Sequence, residues 1–222
     1  LAYTLGDLTT RVQKKIKDTS FATGNITDYL NDAQNDLLNE YNLRFMETSQ
    51  TYTLTANNAD ITSGGSLPTN LVRPKNIVIT YNGFEQKLMY MTQEEIDEIF
   101  PDPTDTTLYQ ANTPLYWYRF GNTIKVFPTP DKAYTVTLEY LKSPTELSSA
   151  ADVPDLPQEF REYLVLGAAG RAMEEKDNYD QAAYLLNRAS TIGAKLVARY
   201  GRRQSGQPTV MRINRVRHAS SN

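Results

Sequence analysis

The chain has no cysteine and a single histidine, His218. The first absence rules out disulfides, thiolate metal sites and a cysteine nucleophile, and makes a reducing cytosol the simpler place of synthesis. The second leaves one imidazole, in a basic C-terminal run, so neither a Ser-His-Asp triad nor a histidine-rich metal site is expected, and His218 reads as a free tail residue. No apolar run approaches the ~20 residues of a membrane span, and the N-terminal residues show neither the basic nor the apolar region of a signal peptide. The expectation is a soluble protein without a membrane partner.

Acidic residues are missing from one end. All 26 Asp and Glu lie at or before Asp180, after which Arg188, Lys195, Arg199, Arg202, Arg203, Arg212, Arg215 and Arg217 are the only charges besides His218 when protonated. Residues 1–180 therefore carry 15 bases against 26 acids, and the net charge of −3 conceals an acidic body with a basic end. Such a chain invites contact with something acidic.

Other chemistry is equally sparse. Gly64-Gly65 lacks the Lys-Ser/Thr of a phosphate-binding loop. Glu94, Glu95, Asp97 and Glu98, with Asp102 and Asp105 beyond, match no EF-hand spacing and read as a solvated helix face. No carboxylate pair is singled out for glycoside hydrolysis. Tyr109, Tyr116, Trp117, Tyr118 and Phe120 could stack on bases, but aromatics alternating in an antiparallel strand fill its core, and the bases are remote in sequence. The sequence thus points to no catalytic residue, no cofactor site and no metal site, and to a protein that is not an enzyme.

What is present is periodicity. An apolar content of 40% with 10% aromatics is enough for a real core. Thr4 and Asp7 resemble a capping box, and Leu5, Leu8, Val12 and Ile16 mark a helix to about Lys17. A second helix is expected from Thr27-Asp28, with Ile26, Leu30, Ala33, Leu37 and Tyr41 inward and Asn31, Asp32, Asn35, Asp36 and Glu40 outward. From Glu47 the period becomes two through Thr55. Leu67-Pro68 and Arg73-Pro74 bracket an irregular piece, and Asn76–Tyr81, the turn Asn82-Gly83 and Phe84–Met91 form a hairpin. Thr92–Phe100 is a short capped helix. Leu115–Phe120, Thr123–Phe127 and Tyr134–Leu141 are expected as a three-stranded antiparallel meander.

From Asp155 to Tyr200 the pattern is a helical hairpin. Phe160, Tyr163, Leu164, Gly167, Ala168 and Met173 recur at helical spacing, and after Lys176-Asp177-Asn178 the period restarts with Tyr179, Ala182, Ala183, Leu186, Ala189, Gly193, Leu196, Val197 and Tyr200. Gly167 to Gly170 leave almost no side chain across one turn, which weakens a helix unless another backbone comes close, so Gly167 and Gly170 are expected at a helix crossing. Gly201 is the expected C-cap.

The predicted fold class is α+β: a four-helix bundle made of N- and C-terminal helical hairpins (residues 1–46 and 144–200), an inserted small antiparallel β-sandwich or barrel (47–143), and an extended basic C-terminal arm (201–222). The run PLYWYRFGNTIKVFPTPDKAYTVTLEYLKSPTELSS at 114–149, followed by DVPDLPQEFREYLVLGAAGRAMEEKDNYDQAAYLLNRA at 152–189, resembles the head-to-tail adaptor (head-completion, connector) proteins of tailed bacteriophages. LPTNLVRP at 67–74 resembles that family's strand-loop segment, and the similarity runs from Leu5 to about Tyr200. Its motifs are patterns of Pro, Gly, Tyr and small residues rather than catalytic signatures.

The resemblance implies a structural virion protein in the neck between head and tail, made in the host bacterial cytoplasm. It further implies a ring, twelve copies in the family arrangement, bound beneath the portal protein and meeting a tail or nozzle protein. In the family the C-terminal segment reaches the portal, which makes Arg202, Arg203, Val210, Met211, Arg212, Ile213, Arg215, Val216 and Arg217 the portal-contact candidates. The alternative is a nucleic-acid-binding protein whose basic arm neutralises phosphates, including those of packaged DNA.

Overall fold

A computed structural model describes residues 3–41, 43–63, 65–103, 105 and 107–201. The chain is α+β, with five helices and mostly antiparallel sheets among the described residues. In chain order the elements are α1 (Leu5–Ile16), α2 (Thr23–Glu40), β1 (Glu47–Leu54), β2 (Leu71–Tyr81), β3 (Phe84–Lys87), β4 (Met89–Tyr90), α3 (Gln93–Ile99), β5 (Tyr116–Phe120), β6 (Thr123–Phe127), β7 (Tyr134–Lys142), α4 (Arg161–Glu175) and α5 (Tyr179–Gly201).

Both capping boxes read from the sequence are formed. Thr4 accepts from the Asp7 N–H while the Asp7 carboxylate accepts from the Thr4 N–H, and Thr92 and Glu95 repeat the exchange at α3. α2 begins earlier than expected, at Thr23, and its first turn has no side-chain cap. Packing of Ile26, which is fully buried, supports this start in place of a cap.

α4 is the helix against which α1, α2 and α5 all pack. The sequence suggested one apolar face, yet Leu164 to Gly170 are buried without a break, as befits a helix covered on every side. Its partners contribute Leu5, Leu8, Val12 and Ile16 of α1, Ile26, Leu30, Ala33 and Leu37 of α2, and Ala182, Leu185 and Ala189 of α5 to one cluster. The register of α5 differs from expectation, because Leu185 is buried whereas Tyr179 and Ala183 are exposed. Gly201 is the last residue of α5 rather than a residue beyond it.

The strands form two sheets, of order β1-β7-β2-β3 and β4-β5-β6. The meander is thereby corrected: β5 and β6 pair as a hairpin, while β7 lies between β1 and β2 in the other sheet. β7 can sit centrally because Tyr134, Val136, Leu138 and Tyr140 alternate into the apolar cluster between the sheets, where they meet Ile77, Ile79, Trp117, Ile124 and Val126. β2 starts at Leu71 rather than Asn76 and absorbs Pro74 at register irregularities between Leu71 and Asn76.

The Asn82-Gly83 turn has φ of 49° and 81°, the left-handed pair that a tight hairpin needs. The strand after it is broken. The Leu88 N–H donates to Ile77 O of the first sheet (2.8 Å), whereas the Met89 N–H donates to Leu115 O (2.9 Å), and β4 then pairs in parallel with β5. Leu88, 1% exposed, anchors this step from one sheet to the other.

Candidate interaction surfaces

Two features hold the helices at fixed spacing. The first is small residues. A Cβ built on Gly167 would lie 3.2 Å from Ala33 Cβ of α2, one on Gly170 only 2.6 Å from Leu186 Cγ of α5, and one on Gly193 of α5 2.9 Å from the Tyr163 ring. Gly167 and Gly170 thus face different helices, and the third contact, at Gly193, is made by α5 against α4. The sequence placed Gly193 only on the periodic face of α5, since the tyrosine that fills its space belongs to α4.

The second feature is polar pins between elements. Asn31 was expected on the outer face of α2 but is 7% exposed: its Nδ2 donates to Leu147 O (3.0 Å) and its Oδ1 accepts from the Leu147 N–H (2.9 Å). Tyr163 donates to Ala33 O (3.2 Å), and burial pushes its hydroxyl up to about 12. Tyr29 donates to Glu175 (2.5 Å), and that bond, with burial, raises it to about 12. Asp18 and Lys176 join the α1–α2 loop to the α4–α5 turn at 2.7 Å, and this bond, with those from Ser20, holds the Asp18 carboxyl at about 2. Arg171 pairs with Asp36, and Arg188 with Glu162. Lys142 at the end of β7 meets Asp155 (2.9 Å); burial would raise that carboxyl, but the Thr145 N–H and the ammonium keep it below its usual range.

Among the described residues no group of His, Cys, Asp and Glu could hold a metal ion, and no helix is long and apolar enough to cross a membrane. Of the aromatics considered for base stacking, Trp117 and Tyr118 are buried and Phe120 is about half exposed. Phe84 is 79% exposed on the edge strand β3, beside Glu85 and Lys87, charges that discourage unwanted strand pairing. Gly64, and the portal-contact candidates Arg202, Arg203, Val210, Met211, Arg212, Ile213, Arg215, Val216 and Arg217, with His218, lie outside the described residues.

The family model described as SU10 adaptor protein matches residues 3–216. The chain belongs to the SU10 adaptor protein family. This is a phage head-to-tail adaptor family, structural rather than enzymatic, so its members' place is the virion and their contacts are with portal and tail components. The match extends past the last described residue into the basic C-terminal segment. No curated protein matches the chain.

Proposed function

We propose that the protein forms a ring beneath the portal and connects the capsid to the tail. The observation that carries this reading is the adaptor-family match over residues 3–216. On this reading α1, α2, α4 and α5 act as a four-helix bundle, residues 1–46 with 144–200, and the two sheets, residues 47–143, as a β-sandwich inserted into it. Supporting it, α4 touches each of the other three helices, and the apolar cluster between the sheets is separate from the helical one. A ring, twelve copies in the family arrangement, requires a heterologous contact in which each copy offers two different patches.

The segment 201–222 serves as the portal-docking arm, with Arg202, Arg203, Arg212, Arg215 and Arg217 supplying charge and Val210, Met211, Ile213 and Val216 apolar anchorage. The absence of acids after Asp180 favours one further contact, with packaged DNA. The test is a phage unable to make the protein. DNA-filled heads and free tails that do not join are expected, with joining restored by the supplied protein and electron microscopy finding it at the neck. Joined, infectious particles without it overturn the reading.

A further inference from the structure

α2 carries Asp28, Asp32, Asp36 and Glu40 at successive steps of four, all exposed, and has no Lys or Arg. Like charges at this spacing repel one another along the helix. Arg171 answers Asp36, but Asp28 and Asp32 form no ion pair among the described residues. Together with Glu146, also without an ion pair, they line a groove between α2 and the segment after β7.

Gln34 forms part of the wall of this groove and is 1% exposed. Its Nε2 donates to Thr145 O (3.2 Å), and because a carbonyl can only accept, that bond fixes the orientation of the amide. Oε1 is then left buried with no partner. A buried acceptor without a donor is costly, so this groove joins acidic groups without ion pairs to an acceptor without a donor.

The same chain holds the complementary surface. Arg11, Lys14 and Lys15 share one face of α1 and, with Arg161 of α4, line a second groove floored by Val165 and Leu166. None of these four cations forms an ion pair among the described residues, and the neighbouring Glu162 is occupied by Arg188. The two grooves have no residue in common.

We propose that these faces meet between copies: the α1 cations of one copy enter the acidic α2 groove of the next, over the wall that holds Gln34. The occupant is a second copy of this chain, and the contact is heterologous, because two acidic or two basic faces would repel. This inference rests on the ring reading and names the surfaces that close the ring.

The test uses full-length protein on the purified portal of the same phage, with bound copies counted by mass photometry. Reversing the acidic face (Asp28→Lys, Asp32→Lys, Glu146→Lys) or the basic face (Arg11→Glu, Lys14→Glu, Lys15→Glu) should each lower apparent affinity by ~10-fold or more, several exposed pairs acting together. An equimolar mixture of the two reversed proteins, and one chain carrying all six changes, should both recover wild-type loading. Recovery excludes simple misfolding, since the same substitutions are present. Full loading by either reversed protein overturns the inference while leaving the ring reading intact. Loss without recovery also overturns it, as does loss confined to the acid-reversed protein, which would make the basic C-terminal arm the occupant. Wild-type protein that fails to bind the portal overturns the ring reading itself.

Discussion

At the scale of single residues, glycines separate what composition can say from what only packing decides. Replacing a helical Gly by Ala gains up to ~1 kcal/mol of intrinsic propensity where the new methyl meets nothing. Gly24, exposed in the first turn of α2, has no atom within 4 Å of an added Cβ, so Gly24→Ala should raise Tm. Gly193→Ala should do the reverse, by about 1–3 kcal/mol, because the methyl would sit 2.9 Å from a Tyr163 ring held in place by its bond to Ala33 O. Gly170→Ala should cost less than Gly193→Ala despite a nominally closer contact, since half-buried Leu186 can change rotamer. Thermal melts of the three variants check both signs and order. The run Gly167 to Gly170 stands out in the sequence as four small residues within one turn. Gly193 stands alone in an ordinary helical pattern, and only its neighbour in space gives it meaning.

Among elements, Asn31 ties the middle of α2 to the segment after β7 and Asp18 ties the α1–α2 loop to the α4–α5 turn, and each tie can be removed by one substitution. Asn31→Leu leaves the Leu147 N–H and C=O without their partners in a buried place, and should cost about 2–4 kcal/mol, read as a lower denaturant midpoint. The Asp18–Lys176 tie predicts a pH dependence. Asp18 titrates at about 2 in the folded protein against an ordinary 3.8, so its stabilisation is complete above about pH 4 and disappears as pH falls through about 2. Asp18→Asn should therefore lower Tm at neutral pH, flatten the acid limb of the Tm–pH curve, and converge with wild type near pH 2. Parallel curves at every pH would exclude the linkage. Element types were readable along most of the chain because local periodicity and capping carry them: the two capping boxes, the Asn82-Gly83 turn and the β5–β6 hairpin are all local. Which sheet a strand joins was not. Residues 84–91 look like one strand, and only the divergent bonds of Leu88 and Met89 divide it; β7 follows β6 in sequence but pairs with β1 and β2, which lie far from it along the chain. Asn31 escaped notice for the same reason, as its partner is 116 residues away.

At the scale of the whole molecule, the acidic body and basic end are the feature with most bearing on assembly, and charge alone does not distinguish a protein partner from DNA. Composition made the asymmetry plain, and the acidic repeat along α2 was visible as a polar face. That Arg171 answers Asp36 while Asp28 and Asp32 have no ion pair among the described residues, and that an oxygen of Gln34 is orphaned beside them, emerges only when the neighbours of each side chain are known. For residues 202–222 the sequence remains the basis of argument, and it interleaves Arg212, Arg215 and Arg217 with Val210, Met211, Ile213 and Val216. Burial of four such side chains against a protein would contribute roughly 1.5–3 kcal/mol each before the cost of ordering the segment, whereas phosphate neutralisation makes no use of them. Replacing all four with Ser while keeping every arginine should thus weaken portal capture at least ~100-fold and leave the affinity for duplex DNA nearly unchanged. Raising salt should produce the opposite pattern, with a steep fall in DNA binding and a shallower one in portal capture, because released counterions dominate the first and apolar burial the second. Pull-down on isolated portal and a DNA shift assay, each run on the wild-type and Ser-substituted chains at two salt concentrations, give the eight numbers required. Portal capture that survives the Ser substitutions, together with salt-sensitive DNA binding by the wild-type chain, would remove the docking role of the arm and leave it as a DNA contact.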